Sequence, residues 1–123
     1  MKIYLAGPMR GKPNFNFPAF DYAAAKLRQE GHRVFSPAER DRGAYGADFG
    51  KDNATGDEMG ADGKDVLTMR RECFLADTTY ICREAEAVAF LPGWEGSKGA
   101  VAEAALAVAI GLETVVLGPE YTQ

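Results

Sequence analysis

The chain has 123 residues, 46% apolar and 26% charged, which fits a single globular domain over residues 1–123 with a core of its own. Fourteen basic residues against eighteen acidic ones give a net charge of −4, which argues against a broad surface for a nucleic-acid polymer or an acidic membrane. No apolar run approaches the roughly 18 residues of a membrane span, and the apolar start is too short for a secretory signal, so a cytoplasmic protein is expected.

In chain order, Lys2–Ala6 is a short apolar run closed by Gly7-Pro8 and reads as a buried strand. Residues 17–30 set Phe20, Ala23, Ala24 and Leu27 at helical spacing, with Pro18 in the first turn and Gly31 at the end, so a helix is expected. Residues 33–36 form a second strand, stopped by Pro37. Residues 41–64 hold six glycines and little apolar matter; a loop this long inside a compact domain is a functional lid or a disordered segment. A helix follows from Asp65 to about Arg83, then a third strand over 85–91, a helix over 99–112 and a fourth strand over 113–117. Cys73 and Cys82 lie nine residues apart and His32 is the single histidine. They offer no zinc site, and two buried free thiols in a reducing compartment are expected. No metal and no cofactor is implied.

Strands alternating with helices imply an α/β fold with a parallel sheet and right-handed crossovers. With the first and third strands central, the order is 2-1-3-4, a flavodoxin-like, Rossmann-like open sheet. Ligands of such sheets bind beyond the carboxyl ends of the strands, at the switch point between the two central ones. That rule selects residues 7–16, 37–64 and 92–98.

One residue stands out against this frame. Residues 100–112 read AVAEAALAVAIGL, with Glu103 the single charge. A helix apolar on every side is normally a buried helix, and a buried carboxylate without a partner is costly. The alternative is a glutamate facing solvent near a helix start, where the macrodipole favours it. Upstream, Gly93-Trp94-Glu95-Gly96-Ser97-Lys98-Gly99 offers backbone N–H groups, a hydroxyl and a helix N-terminus, the parts of an anion pocket. It is not a Walker A loop, and no G-x-G-x-x-G follows the first strand. In the first loop Gly7 would let a ligand approach the strand end. Arg10 brings donors suited to phosphate, or is a solvated loop arginine.

Four stretches together carry a resemblance: Tyr4-Leu5-Ala6-Gly7-Pro8-Met9-Arg10-Gly11; Asn16-Phe17-Pro18-Ala19-Phe20; Gly31-His32-x-Val34-x-x-Pro37-Ala38-Glu39; and Leu91-Pro92-Gly93-Trp94-x-x-Ser97-x-Gly99-Ala100-x-x-Glu103. They resemble the nucleoside 2-deoxyribosyltransferase-like superfamily, most closely its small branch of uncharacterised phage and bacterial proteins, the DUF4406 group. The superfamily includes transferases that swap bases on deoxyribose and hydrolases of 2'-deoxynucleoside 5'-monophosphates. The resemblance therefore implies N-glycosidic cleavage or transfer on a deoxynucleotide, with Glu103 as carboxylate nucleophile and Asp77 as the acid that helps the base leave. Asp77 read on its own is equally an exposed helical carboxylate or a local cap. Glu86, where many relatives have aspartate, is read as structural. Ser97, Gly99, Arg10 and Gly11 match phosphate contacts of the monophosphate hydrolases, and Gly7 and Asn16 lie in the first substrate loop. The 41–64 segment departs from those compact hydrolases; its Tyr45 and Phe49 stack on a base or pack the loop down. Trp94 is a ligand-stacking residue or an oligomer contact. A homo-oligomer is implied, because relatives complete the site with a neighbouring subunit. The rival to an enzyme is a protein that holds a nucleotide or nucleotide-derived signal without cleaving it.

Overall fold

The computed structural model describes residues 1–61 and 63–123. Four parallel strands, β1 (Lys2–Ala6), β2 (Arg33–Phe35), β3 (Ala87–Phe90) and β4 (Glu113–Val116), form one sheet in the order β2-β1-β3-β4, as the alternation of elements implied. In register, Ile3 pairs with Val34 on one side and with Ala87 on the other. Both central strands are buried along their length apart from Lys2, hence their almost unbroken apolar sequences.

The period of two along these strands divides the core. Ile3, Leu5, Ala87 and Ala89 point to one face and pack with Phe17, Phe20, Ala24 and Leu27 of helix α1 (Phe17–Gln29). Tyr4, Ala6, Val88 and Phe90 point to the other, under Ile81, Ala100 and Ala107 of α3 (Val66–Arg83) and α4 (Lys98–Ile110). Tyr4 is thereby sent into the same layer as α3 and α4.

Residues 41–64 are not one loop. Pro37–Tyr45 is helical (α2), so the first five residues of the segment continue a helix. Residues 46–61 and 63–65 run in turns and irregular backbone with an isolated Ala61–Lys64 bridge; Asp62 lies outside the described residues. This stretch is tied down on the first loop. The Gly11 N–H donates to the Gly56 carbonyl at 2.9 Å and the Asn14 N–H to that of Asn53 at 2.7 Å. A Cβ on Gly56, at φ +71, would come within 2.2 Å of the Lys12 carbonyl oxygen, so only glycine allows this approach. Facing it, Asn14, Phe15 and Asn16 are left-handed in succession, at φ 54, 53 and 61, a costly backbone for an aromatic residue. It buries the Phe15 ring against Phe17 and Phe49.

Two expectations are corrected. The apolar helix over 99–112 is not buried all round: among α4 residues only Ala100, Glu103 and Ala107 are buried, while Val101 is 44% and Val108 69% exposed. Together with β4 it lies at the sheet's edge, and among the described residues none covers its outer side. Nor are both thiols buried, since Cys82 is exposed and Cys73 half-buried.

Candidate active site

At the switch point between β1 and β3 the first loop, α2, α3, the 46–61 stretch and the start of α4 enclose an open cavity of about 630 Å³. Its chemistry centres on Glu103, one turn into α4 and 5% exposed. The Tyr4 hydroxyl donates to Glu103 Oε2 at 2.7 Å. Oε1 accepts no hydrogen bond from the described residues and is not fully shielded, so it is the oxygen presented to the cavity. Burial pushes the Glu103 carboxyl up to about 8; the Tyr4 hydrogen bond opposes this, and the charge of Asp77 adds to it.

Asp77 enters from α3. It is 7% exposed, and its Oδ1 is buried with no hydrogen-bond partner. Burial first and the charge of Asp41 second raise it to about 7. Neither acid forms a salt bridge among the described residues. Buried carboxyls are normally paired or neutralised, and titrating groups displaced this far toward neutrality in a cavity make a candidate functional site. The solvent-facing readings of Glu103 and of Asp77 are both excluded by their burial.

The end of the cavity expected to take an anion lies at the start of α4. Ser97 caps it, its Oγ accepting from the Ala100 N–H at 3.2 Å, and Ser97, Lys98 and Gly99 line the cavity. A Cβ on Gly99 would meet no protein atom within 4 Å, so this glycine leaves open space over the helix start, where N–H groups favour an anion. Arg10 lines the cavity too, but its guanidinium is exposed and reaches Glu58 Oε1 at 3.4 Å. Glu58 is gripped more firmly from α3 by Arg70, whose Nε lies 2.8 Å from Oε2. Arg70 and Arg71, absent from the sequence-based site, bring further positive charge to the rim.

Other expected site residues also have contacts within the fold. Gly7 lines the cavity, yet its first requirement is packing: a Cβ there would sit 2.8 Å from Leu91 Cβ. Gly11 has its N–H engaged by Gly56. Asn16 braces the first loop, Nδ2 donating to the Pro8 carbonyl at 3.0 Å. Tyr45 does not line this cavity. Its hydroxyl donates to Glu72 at 2.8 Å, and its ring lies against Phe49 and beneath the Arg40 and Lys64 cations, so it packs the segment down. Phe49, by contrast, is in the wall, stacked on Phe15. Trp94 packs on Phe90 with ring centroids 4.7 Å apart. Glu86 accepts from the Lys2 backbone N–H at 2.8 Å, the structural role expected of it.

Besides the two arginines, two buried residues of the cavity were missed. Tyr4 sits in an apolar strand, and a fully buried tyrosine needs a partner for its hydroxyl; that signal was available. Asp41 lay in a segment read as loop, and only the helix reveals that it points inward.

The family model described as "Domain of unknown function (DUF4406)" matches residues 1–59 and 64–116. The chain belongs to the DUF4406 family. No curated protein and no solved structure is significantly similar to it. In this DUF4406 domain the match takes in every cavity residue named above, from Tyr4 to Glu103.

Proposed function

We propose that the protein cleaves or transfers the N-glycosidic bond of a 2'-deoxynucleoside 5'-monophosphate. One observation carries the reading: two buried carboxyls without cation partners share a cavity at the switch point, one of them under a tyrosine hydroxyl and beside a helix N-terminus. The resemblance to the nucleoside 2-deoxyribosyltransferase-like superfamily agrees with it.

In this reading the phosphate lies at Ser97 and Gly99 with Arg10 near, and Glu103 Oε1 faces C1' of the sugar. The carboxylate attacks C1' as the bond to the base breaks, giving a glycosyl ester, and Asp77 gives its proton to the departing base. Water, or a second base, then attacks C1', releases Glu103 and returns a proton to Asp77. Tyr4 fixes the carboxylate by holding Oε2. The exposed apolar side of α4, together with Val115 and Val116 of β4, is covered by a second copy of the chain.

The test is a panel of the common nucleosides and their 5'-monophosphates, with released base measured by chromatography. Base release from a deoxynucleotide by the wild type, lost by orders of magnitude in Glu103→Gln, is the expected result. Binding without release would make the protein a nucleotide carrier. Turnover undiminished in Glu103→Gln would remove this mechanism.

A further inference from the structure

Asp41 is a third buried acid of the cavity, 6% exposed, and the glycosyl chemistry leaves it without a role. It projects from α2 toward α3. Its Oδ1 is held by Arg40 Nη1 at 3.2 Å and by the Cys73 thiol at 3.5 Å. Its Oδ2 has no hydrogen-bond partner among the described residues and is not fully shielded, so that oxygen is left for the cavity. Cys73 and Asp77 stand one turn apart on α3, which puts Asp41 beyond Asp77 on the side away from α4. The charges agree with that order: Glu103 feels Asp77, and Asp77 feels Asp41. The surrounding wall is apolar and aromatic, with Phe15, Phe49 and Met69. Such a compartment fits a flat heterocycle, with one polar group to read its edge.

We infer that Asp41 reads the far edge of the base and that the cavity selects bases carrying an exocyclic amino group. The inference rests on the nucleotide reading above and names the substrate within it. With Glu103 at C1' and Asp77 at the leaving nitrogen, the base must extend toward Asp41. Burial raises the Asp41 carboxyl, while Arg40 and the thiol, both donating to Oδ1, oppose that rise and favour the ionised form; an ionised carboxylate only accepts. An amino N–H satisfies Oδ2. A carbonyl oxygen at the same place, as in uracil or hypoxanthine, meets a second acceptor and leaves both without a donor. Sites built to pair with a substrate N–H discriminate strongly against analogues that lack it. The three carboxyls and Cys73 do not form a metal-binding group among the described residues.

Matched pairs test this: 2'-deoxycytidine against 2'-deoxyuridine 5'-monophosphate, and 2'-deoxyadenosine against 2'-deoxyinosine 5'-monophosphate. Each pair differs along one edge, where the amino group becomes an oxo group and the neighbouring ring nitrogen gains a hydrogen. Dissociation constants are measured by calorimetry on Glu103→Gln, so that turnover does not intervene, and on the double variant with Asp41→Asn. At least one amino nucleotide should bind about tenfold or more tighter than its oxo partner. Asp41→Asn, whose amide both donates and accepts, should bring that ratio to within about twofold while either nucleotide still binds. A merely structural Asp41 would weaken both members of a pair alike. Ratios near one in the presence of Asp41, or ratios unchanged by Asp41→Asn, overturn the inference and leave the glycosidic reading standing. Failure of all four nucleotides to bind overturns both. Should Asp41→Asn fail to fold, the ratios measured with Asp41 in place decide.

Discussion

Two carboxyls that hold protons to near neutrality set the pH behaviour of the site. Asp77 is raised to about 7 and Glu103 to about 8, both chiefly by burial, with the charge of Asp77 adding to the Glu103 shift. The proposed reaction needs Glu103 ionised while Asp77 keeps its proton, which at these values is the minor of the two singly protonated forms; below this window both are protonated and no carboxylate is available to attack C1'. Above it both are ionised and no proton is available for the base. A bell-shaped kcat/KM with its maximum between about 7 and 8 is expected, and in Asp77→Asn the alkaline limb should vanish along with most of the rate. A profile flat across that window would exclude the paired-acid mechanism. The same shifts make a statement about stability. Both folded values lie above the ordinary 4.5 and 3.8, so their contribution is fully present only below the unfolded values and is lost as pH rises through the folded ones. Glu103→Gln should therefore raise stability at pH 8 by roughly 1–3 kcal/mol and change it little at pH 4. Thermal melts at the two pH values check this, and equal shifts at both would contradict it. At this scale Glu103 was legible in the sequence because one acid in an apolar helix is conspicuous. Asp77 needed the resemblance, since a carboxylate on a mixed helix carries no sign of which way it faces.

Among the elements, the central strands could be read as almost unbroken apolar runs, and α1 from apolar residues near a period of 3.6; α3 and α4 also agree with the expected helices. Helix α2 could not be read. Its inward positions are Pro37, Ala38, Asp41 and Tyr45, which is helical spacing, but an aspartate at the centre of that face erases the apolar pattern. The residue that hid the helix is the one that gives the cavity its third acid. The stretch from 46 to 61 is held to the first loop chiefly by backbone, so it should respond to a backbone change. Gly56→Ala places a methyl group against Lys12 and strains a positive φ, and a loss of about 1–3 kcal/mol is expected. Hydrogen exchange should quicken at Gly11 and Asn14, whose N–H groups bond across this junction. Unchanged exchange at both amides would mean that the two loops are not coupled.

At the scale of the whole molecule, the outer side of α4 and the edge strand β4 leave Val101, Val108, Ile110, Val115 and Val116 exposed, and exposed apolar side chains that gather in one region are what an interaction surface is made of. The proposed second copy would account for the all-round apolar sequence of α4, one side covered by its own chain and the other by the copy. Light scattering should give the wild type a mass above the monomer, and Val108→Asp should return it to the monomer without loss of secondary structure. A wild type that stays monomeric at high concentration would refute the second copy. The hydrogen bond between Tyr4 and Glu103 joins residues 99 apart in sequence, and β1, the innermost strand with β3, meets that partner only when residue 87 has been made. During synthesis the first strand must therefore leave the ribosome with one flank unpaired and wait for most of the remaining chain. Closing so long a loop before its contacts form makes folding slow for the size of the domain. A nascent chain halted before α4 emerges holds no trace of the paired acids, so ligand-dependent protection of stalled chains should appear abruptly, near full length, rather than grow with each added element.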